Sequence, residues 1–155
     1  MDAFPAFFPL AGRKVVVAGS GDAAEAKARL FTNSPAELIR IGEEAALQAG
    51  VYDGALLAFI GGEEAFCRAA AKIARDAGAL VNVVDRPHLS DFTTPAVVDR
   101  GEVVVAIGTT GAAPMMAALL REQLDAIQAH YPDQKRMVVI GHSMGGMIAR
   151  ALITD

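Results

Sequence analysis

A glycine turn between a predicted strand and a predicted helix, within residues 13–30 (RKVVVAGSGDAAEAKARL), places the strongest constraint on the fold of this 155-residue chain. Residues 15–17 are a run of valines, which predicts a buried parallel strand. Gly19, Gly21 and Ala24 follow in the spacing G-x-G-x-x-A, and good helix formers come next. This order of strand, glycine turn and helix is typical of a dinucleotide-binding fingerprint.

Each small residue of the fingerprint has a physical role. Gly19 allows a tight turn that a Cβ atom would obstruct, and Gly21 lets the backbone approach a pyrophosphate closely. Ala24 lets the helix, predicted over residues 25–30, pack near the strand. The unpaired N–H groups of the first helical turn and the helix dipole favour a phosphate there. A strand-to-helix turn without a ligand is the alternative. The residues assigned to the cofactor are Gly19, Ser20, Gly21, Asp22, Ala23, Ala24, Arg40 and Gly61.

The end of the second predicted strand, residues 36–41, bears on the adenosine half of the cofactor. In this fold an acidic residue about 20 positions past the glycines binds the ribose 2′-hydroxyl. Arg40 falls in that zone and would accommodate a 2′-phosphate, whereas Glu43 would bind a free ribose hydroxyl. The sequence leaves both interpretations open, together with that of a solvated turn.

The rest of the chain continues the alternation of strands and helices. Apolar runs predict strands at residues 55–60, 79–84 and 103–107. Helices are predicted at residues 63–78 and 115–128. This order indicates an α/β fold, a Rossmann-like, mostly parallel sheet with helices on both faces.

Ligands of such sheets bind beyond the carboxyl ends of the strands. Asp85 ends the apolar fourth strand at that edge, where Gly61 and Gly62 also converge. Burial there is expected to raise the pKa of Asp85 and to suit it to proton transfer. A turn-capping aspartate is the alternative.

Composition excludes several classes of protein. Hydrophobic residues make up 53% and charged residues 21%, as in a globular chain with a sizeable core. No apolar run is long enough for a membrane span, and the start lacks the basic region of a signal peptide. The single cysteine, Cys67, fits a reducing cytoplasm and is expected to be a buried structural thiol. A net charge of −4 without a basic block argues against a nucleic-acid partner.

Three segments together resemble a known family: FPAFFPLAGRKVVVAGSGDAAEAKARL, VNVVDRPHLSDFTTPAVVDRGEVVVAIGTTGAAP and ALLREQLDA. Over about residues 1–126 the chain resembles the N-terminal NAD-binding domain of sirohaem synthase, of the precorrin-2 dehydrogenase/sirohydrochlorin ferrochelatase family. The resemblance implies NAD-dependent oxidation of the tetrapyrrole precorrin-2 to sirohydrochlorin. It also implies insertion of ferrous iron, as a substrate and not as a resident metal.

The resemblance assigns roles to particular residues. Asp85, the aspartate of NVVD, is the family's catalytic residue in both steps. A loop beside the active site would contact the tetrapyrrole through Thr109, Thr110 and Gly111, and Thr109 matches a serine typical of the family. The chemistry is reasonable, since the nicotinamide takes a hydride and a carboxylate handles protons.

The tail, residues 127–155, has a sequence pattern that differs from that of the resembling family. A predicted strand at residues 137–140 precedes G-x-S-x-G and then a predicted helical run, similar to the nucleophile elbow of α/β-hydrolases. Ser143 would be the nucleophile, but no histidine follows it. The elbow is therefore expected to be inert and the tail foreign or truncated. The tail does not continue the helical dimerisation region of the family, so the sequence leaves undecided whether the chain forms a homodimer. The alternatives are a non-catalytic dinucleotide-binding domain and an inert serine-hydrolase fragment.

Overall fold

The computed structural model describes residues 4–99 and 104–107, the strand residues 138–140 and 150–152, and the single positions Glu122 and Ala126. The chain divides into two compact units, one of Ala6–Thr93 and one of Met1–Pro5 with Thr94–Asp155. Most of the helix predicted at residues 115–128 lies outside the described residues, although both single positions are helical. The predicted division at residue 126 stays a prediction.

The unit of residues 6–93 is built on a four-stranded parallel sheet. The strands lie in the order β2-β1-β3-β4, and each neighbouring pair is parallel. The predicted Rossmann-like α/β fold is thereby confirmed. The elements are β1 (Lys14–Gly19), α1 (Gly21–Arg29), β2 (Glu37–Ile41), α2 (Glu43–Ala46), β3 (Ala55–Gly61), α3 (Glu64–Asp76) and β4 (Leu80–Val83), followed by a 3-10 turn at Pro87–Leu89.

Alternation along the strands supplies a core on each face of this sheet, because successive side chains of a strand point to opposite faces. Val15 and Val17 lie in the cluster that includes Ala24 and Ala28 of α1. Val16 lies in the other cluster, with residues of α2 and α3. The helix residues in that second cluster are small: Ala46, Cys67, Ala70, Ala71 and Ala74. Helices therefore cover both faces, as the sequence predicts.

The observed bounds differ from the predicted ones by at most two residues for each strand of this sheet. The larger difference is at α1, which begins at Gly21 and not at residue 25. The glycine turn is already complete at Ser20, whose backbone is extended. The second half of the fingerprint is therefore the first turn of the helix.

The strand predicted at residues 103–107 is present, but it is not part of the four-stranded parallel sheet. The strand exists as β6 (Val104–Ile107), but it pairs antiparallel with β5 (Ala96–Asp99), which the sequence analysis did not predict. A parallel connection needs a crossover of about a dozen residues or more, and the short segment between β5 and β6 cannot supply it.

The tail contains a second antiparallel pair. The predicted strand at residues 137–140 is found as β7 (Val138–Ile140), and it pairs with β8 (Arg150–Leu152). The helical run predicted after the elbow is therefore wrong for Arg150–Leu152, which form a strand. Ser143 lies outside the described residues.

Residues 90 and 91 bind the edge of β4 that does not pair with β3 in the described part of the chain. Asp91 accepts a hydrogen bond from Val81 N at 2.9 Å through Oδ2 and donates its own N–H to Val81 O at 2.7 Å. Ser90 Oγ accepts a bond from Val83 N at 2.8 Å. Arg75 of α3 donates through Nε to Asp91 Oδ1 at 2.8 Å. These bonds satisfy strand N–H groups that would otherwise be free to pair with another chain.

We expect Asp91→Ala to lower the free energy of unfolding by about 1–3 kcal/mol, because it leaves Val81 N–H and Arg75 Nε without their acceptor. Urea denaturation measures the loss. The matched control is Asp76→Ala, which removes an exposed carboxylate paired with Lys72 on α3 and should cost about 0.5 kcal/mol or less. Equal losses in the two variants would contradict this role of Asp91.

Candidate functional site

The carboxyl ends of β1 and β3 form the centre of the candidate site. The chain leaves β1 toward β2 on one side and returns to β3 on the other, so a topological switch point lies between them. Gly19 pairs with Gly61 there and has a φ of +110°. A Cβ atom on Gly19 would lie 1.8 Å from the carbonyl oxygen of Gly61. Only glycine at position 19 allows this approach, which confirms the predicted steric reason for it.

Gly21, the first residue of α1, faces open space. Its φ is +79°, and a Cβ atom built on it meets nothing within 4 Å among the described residues. Ser20 precedes it as the N-cap, but its hydroxyl makes no capping bond to the helix. The N–H groups of the first turn, which Asp22, Ala23 and Ala24 contribute, are thus not capped by the serine. Such N–H groups and the helix dipole suit a phosphate.

The structure places Glu43 against the glycine turn. Ser20 Oγ donates a hydrogen bond to Glu43 Oε1 at 3.2 Å. The same carboxylate oxygen would lie 3.2 Å from a Cβ atom on Gly62. Glu43 also lines an open hollow of about 630 Å³ along α2. Its position 23 residues after Ser20 is the sequence signal for a ribose-binding acid.

Arg40, the alternative candidate for the adenosine side, is engaged elsewhere. It lies on β2 opposite Val17 of β1, and its guanidinium forms an ion pair with Glu25 of α1. Both side chains are about half exposed. Glu25 is not among the predicted site residues, since nothing in a helical glutamate indicates which side chain it contacts.

Asp85 lies two residues beyond β4, at the predicted edge of the sheet. Its φ is +58°, and it is the single described residue other than glycine with a positive φ. Aspartate tolerates this left-handed conformation better than most residues do. Asp85 is exposed, however, so the predicted burial is wrong. β4 ends at Val83, and the turn carries Asp85 out of the core.

Lys27 approaches the same edge from α1. Its ammonium lies 5.9 Å from the centroid of the buried Phe59 ring. Burial lowers the pKa of Lys27, and the negative charge of Asp85 opposes that shift. The site therefore contains a half-buried cation near the exposed carboxylate, which the sequence analysis missed because a lysine on a helix is ordinarily a surface residue.

Cys67 is the buried thiol that the sequence predicts. Its Sγ donates to Gly62 O at 3.4 Å, and Nη1 of Arg86 lies 3.9 Å from the sulfur. Burial raises the pKa of the Cys67 thiol, and the Arg86 charge opposes this to a smaller extent. A raised pKa keeps the sulfur protonated and weakly nucleophilic at neutral pH.

We expect iodoacetamide at pH 7.5 to alkylate Cys67 on the order of 100-fold more slowly in the native protein than in urea, because the thiol reacts only after local opening. Mass spectrometry over time gives both rates. Native labelling as fast as that of the unfolded chain would show that Cys67 is accessible and reactive.

Other predicted site residues lie outside the described part of the chain. These are Thr109, Thr110 and Gly111 of the substrate loop. Within the described residues, no group of three or more histidine, cysteine, aspartate or glutamate side chains is arranged to hold a metal ion. None of the described helices has the length and apolar character needed to cross a membrane.

Two family models match the chain. The putative NAD(P)-binding family model matches residues 6–96, which include the whole parallel sheet and the fingerprint. The PGAP1-like alpha/beta domain model matches residues 58–155, which include the G-x-S-x-G of the tail. The two matches overlap at residues 58–96.

The curated relatives include sirohaem synthases. Those of Psychrobacter cryohalolentis and Azotobacter vinelandii are 34% and 35% identical to this chain over 146 residues, which are 82% and 81% of it. That of Citrobacter koseri is 31% identical over 88% of the chain. The matches cover 28%, 31% and 35% of these three relatives, so the chain spans about a third of their length.

Among solved structures, the chain resembles SirC, a precorrin-2 dehydrogenase, with a TM-score of 0.59. The sequence identity is 23%, and the match covers 83% of this chain and 71% of that one. At this identity the likeness shows the shared fold. The chain is similar to sirohaem synthases; it belongs to the putative NAD(P)-binding family through residues 6–96 and to the PGAP1-like alpha/beta family through residues 58–155.

Proposed function

We propose that this chain binds NAD and oxidises precorrin-2 to sirohydrochlorin. The observation that supports cofactor binding is the open space at Gly21, beside the close approach of Gly19 to Gly61. The names of the relatives, sirohaem synthase and precorrin-2 dehydrogenase, support the choice of precorrin-2 as the substrate. Since the chain spans about a third of those synthases, its activity is our proposal and not a property carried over from them.

The residues around the glycine turn fit a dinucleotide. A pyrophosphate would lie against Gly21, where a side chain is absent and the uncapped first turn of α1 provides N–H donors. Glu43, held by the Ser20 hydroxyl, would accept hydrogen bonds from the adenosine ribose. Its negative charge disfavours a 2′-phosphate at the same place, which supports NAD over NADP.

Asp85 is the group we assign to proton transfer. Bound NAD supplies the hydride acceptor for the oxidation. The proton that the substrate loses in the same oxidation passes to the Asp85 carboxylate, which is exposed at the ligand edge of the sheet. The ammonium of Lys27 lies near enough for its charge to act on Asp85.

We also include ferrous iron insertion into sirohydrochlorin in the proposal. Insertion of a divalent ion displaces two pyrrole protons, and an exposed carboxylate is a suitable acceptor for them. Asp85 is such a carboxylate at this edge. Iron is a substrate in this step, and no resident metal is proposed.

The cofactor site is tested by Gly21→Ala, with Gly12→Ala as the matched control. Both glycines have a positive φ, and at both an added Cβ atom meets nothing within 4 Å. Each substitution should cost about 1–2 kcal/mol of stability through backbone strain. Calorimetric titration should show NAD affinity reduced about tenfold or more for Gly21→Ala alone, since the new methyl group occupies the place of the pyrophosphate. Equal NAD affinity in the two variants would reject the glycine turn as the site.

Asp85→Asn tests proton transfer, with Asp53→Asn at the amino end of β3 as the control. Asparagine keeps the size of the side chain but cannot take up a proton. We expect precorrin-2 oxidation, followed by the absorbance of sirohydrochlorin, to slow by about 10²–10⁴-fold with NAD affinity unchanged. Iron insertion should slow in parallel. Full turnover of Asp85→Asn would make Asp85 a turn residue only, and loss of NAD binding would make it structural.

A further inference from the structure

The ion pair between Glu25 and Arg40 lies at the adenosine side of the candidate site. Arg40 is the second-last residue of β2, and Glu25 lies in the second turn of α1. In a Rossmann-like fold, residues at the carboxyl end of β2 lie beside the adenosine ribose. An arginine at this place accommodates the 2′-phosphate that distinguishes NADP from NAD. The sequence alone therefore left Arg40 as a candidate NADP-binding residue.

The ion pair changes what Arg40 can do. The Arg40 guanidinium contacts the Glu25 carboxylate directly, so one of its N–H groups is occupied and its charge is offset. A 2′-phosphate would have to compete with Glu25 for Arg40. Glu43 adds a second negative charge near the glycine turn, where it is held by Ser20. Both carboxylates thus act against a phosphate at the ribose.

We propose that Glu25 strengthens the preference of this chain for NAD over NADP, as a positioning residue that holds Arg40 away from the ribose 2′-position. The inference rests on the proposed binding of a dinucleotide. Because both side chains are about half exposed, solvent and salt screen the pair. The effect is therefore a modest change in specificity and not a switch.

The test compares the affinities of oxidised NAD and NADP, measured by calorimetric titration, in the parent chain and in Glu25→Gln. The substitution keeps the shape of the side chain and removes its charge. We expect NADP to bind about two- to fivefold more tightly relative to NAD, the size expected for one exposed charge pair. Glu25→Asp, which keeps the charge, should leave the ratio nearer to that of the parent.

Two further variants separate this role from a merely structural one. Glu37→Gln removes an exposed carboxylate at the start of β2, and it should leave the ratio unchanged. In an Arg40→Gln background, Glu25→Gln should no longer change the ratio, because Glu25 acts through Arg40. Circular dichroism confirms that each variant is folded.

The outcomes distinguish this inference from the proposed function. If the parent binds neither dinucleotide, the proposed function fails and this inference fails with it. If the parent binds NAD but Glu25→Gln leaves the ratio unchanged, the inference alone is overturned. A parent that prefers NADP, or a change of ratio that persists without Arg40, overturns it as well.

Discussion

The contact between the backbones of Gly19 and Gly61 is the constraint on which the rest of the site depends. β1 and β3 run side by side to their carboxyl ends, where any side chain on Gly19 would collide with the Gly61 carbonyl. Because the two strands stay together, the turn after β1 is held at the centre of the sheet, and α1 begins at the switch point. The small buried residues of α1, Ala24 and Ala28, then bring the helix close to the strands. The geometry of the turn at which we propose phosphate binding is thus a consequence of packing.

Charged groups divide the ligand edge into two halves. On the β2 side, Glu43 is linked to Ser20 and Glu25 to Arg40, so the carboxylates there have partners. On the β4 side, Asp85 is exposed and Lys27 is half buried near it. We propose that the first half binds the ribose and that the accessible carboxylate of the second half takes part in proton transfer. The glycine turn, which carries no charged side chain except Asp22, lies between them.

Sequence patterns predicted the elements that depend on local interactions. Apolar runs predicted three of the four parallel strands and alternation predicted the second, while the spacing of glycines located the turn after β1, because these signals are contained in short segments. The pairing of β6 was not predicted, since it depends on β5, a strand of only four residues whose short apolar run was not identified as a strand. The exposure of Asp85 was not predicted either, because it depends on β4 ending at Val83. Glu25 and Lys27 contribute through contacts with other elements, which no helical pattern reveals.

The overlap of the two family models at residues 58–96 has a structural reason. That segment contains β3 from its middle onward, α3 and β4, a strand–helix–strand unit that many α/β folds share. Because both models match this segment, it does not distinguish between them. The fingerprint does, because Gly19 and Gly21 lie in the segment that the NAD(P)-binding model alone matches. Since a fold by itself does not determine function, the proposed dinucleotide chemistry depends on those two glycines and their surroundings.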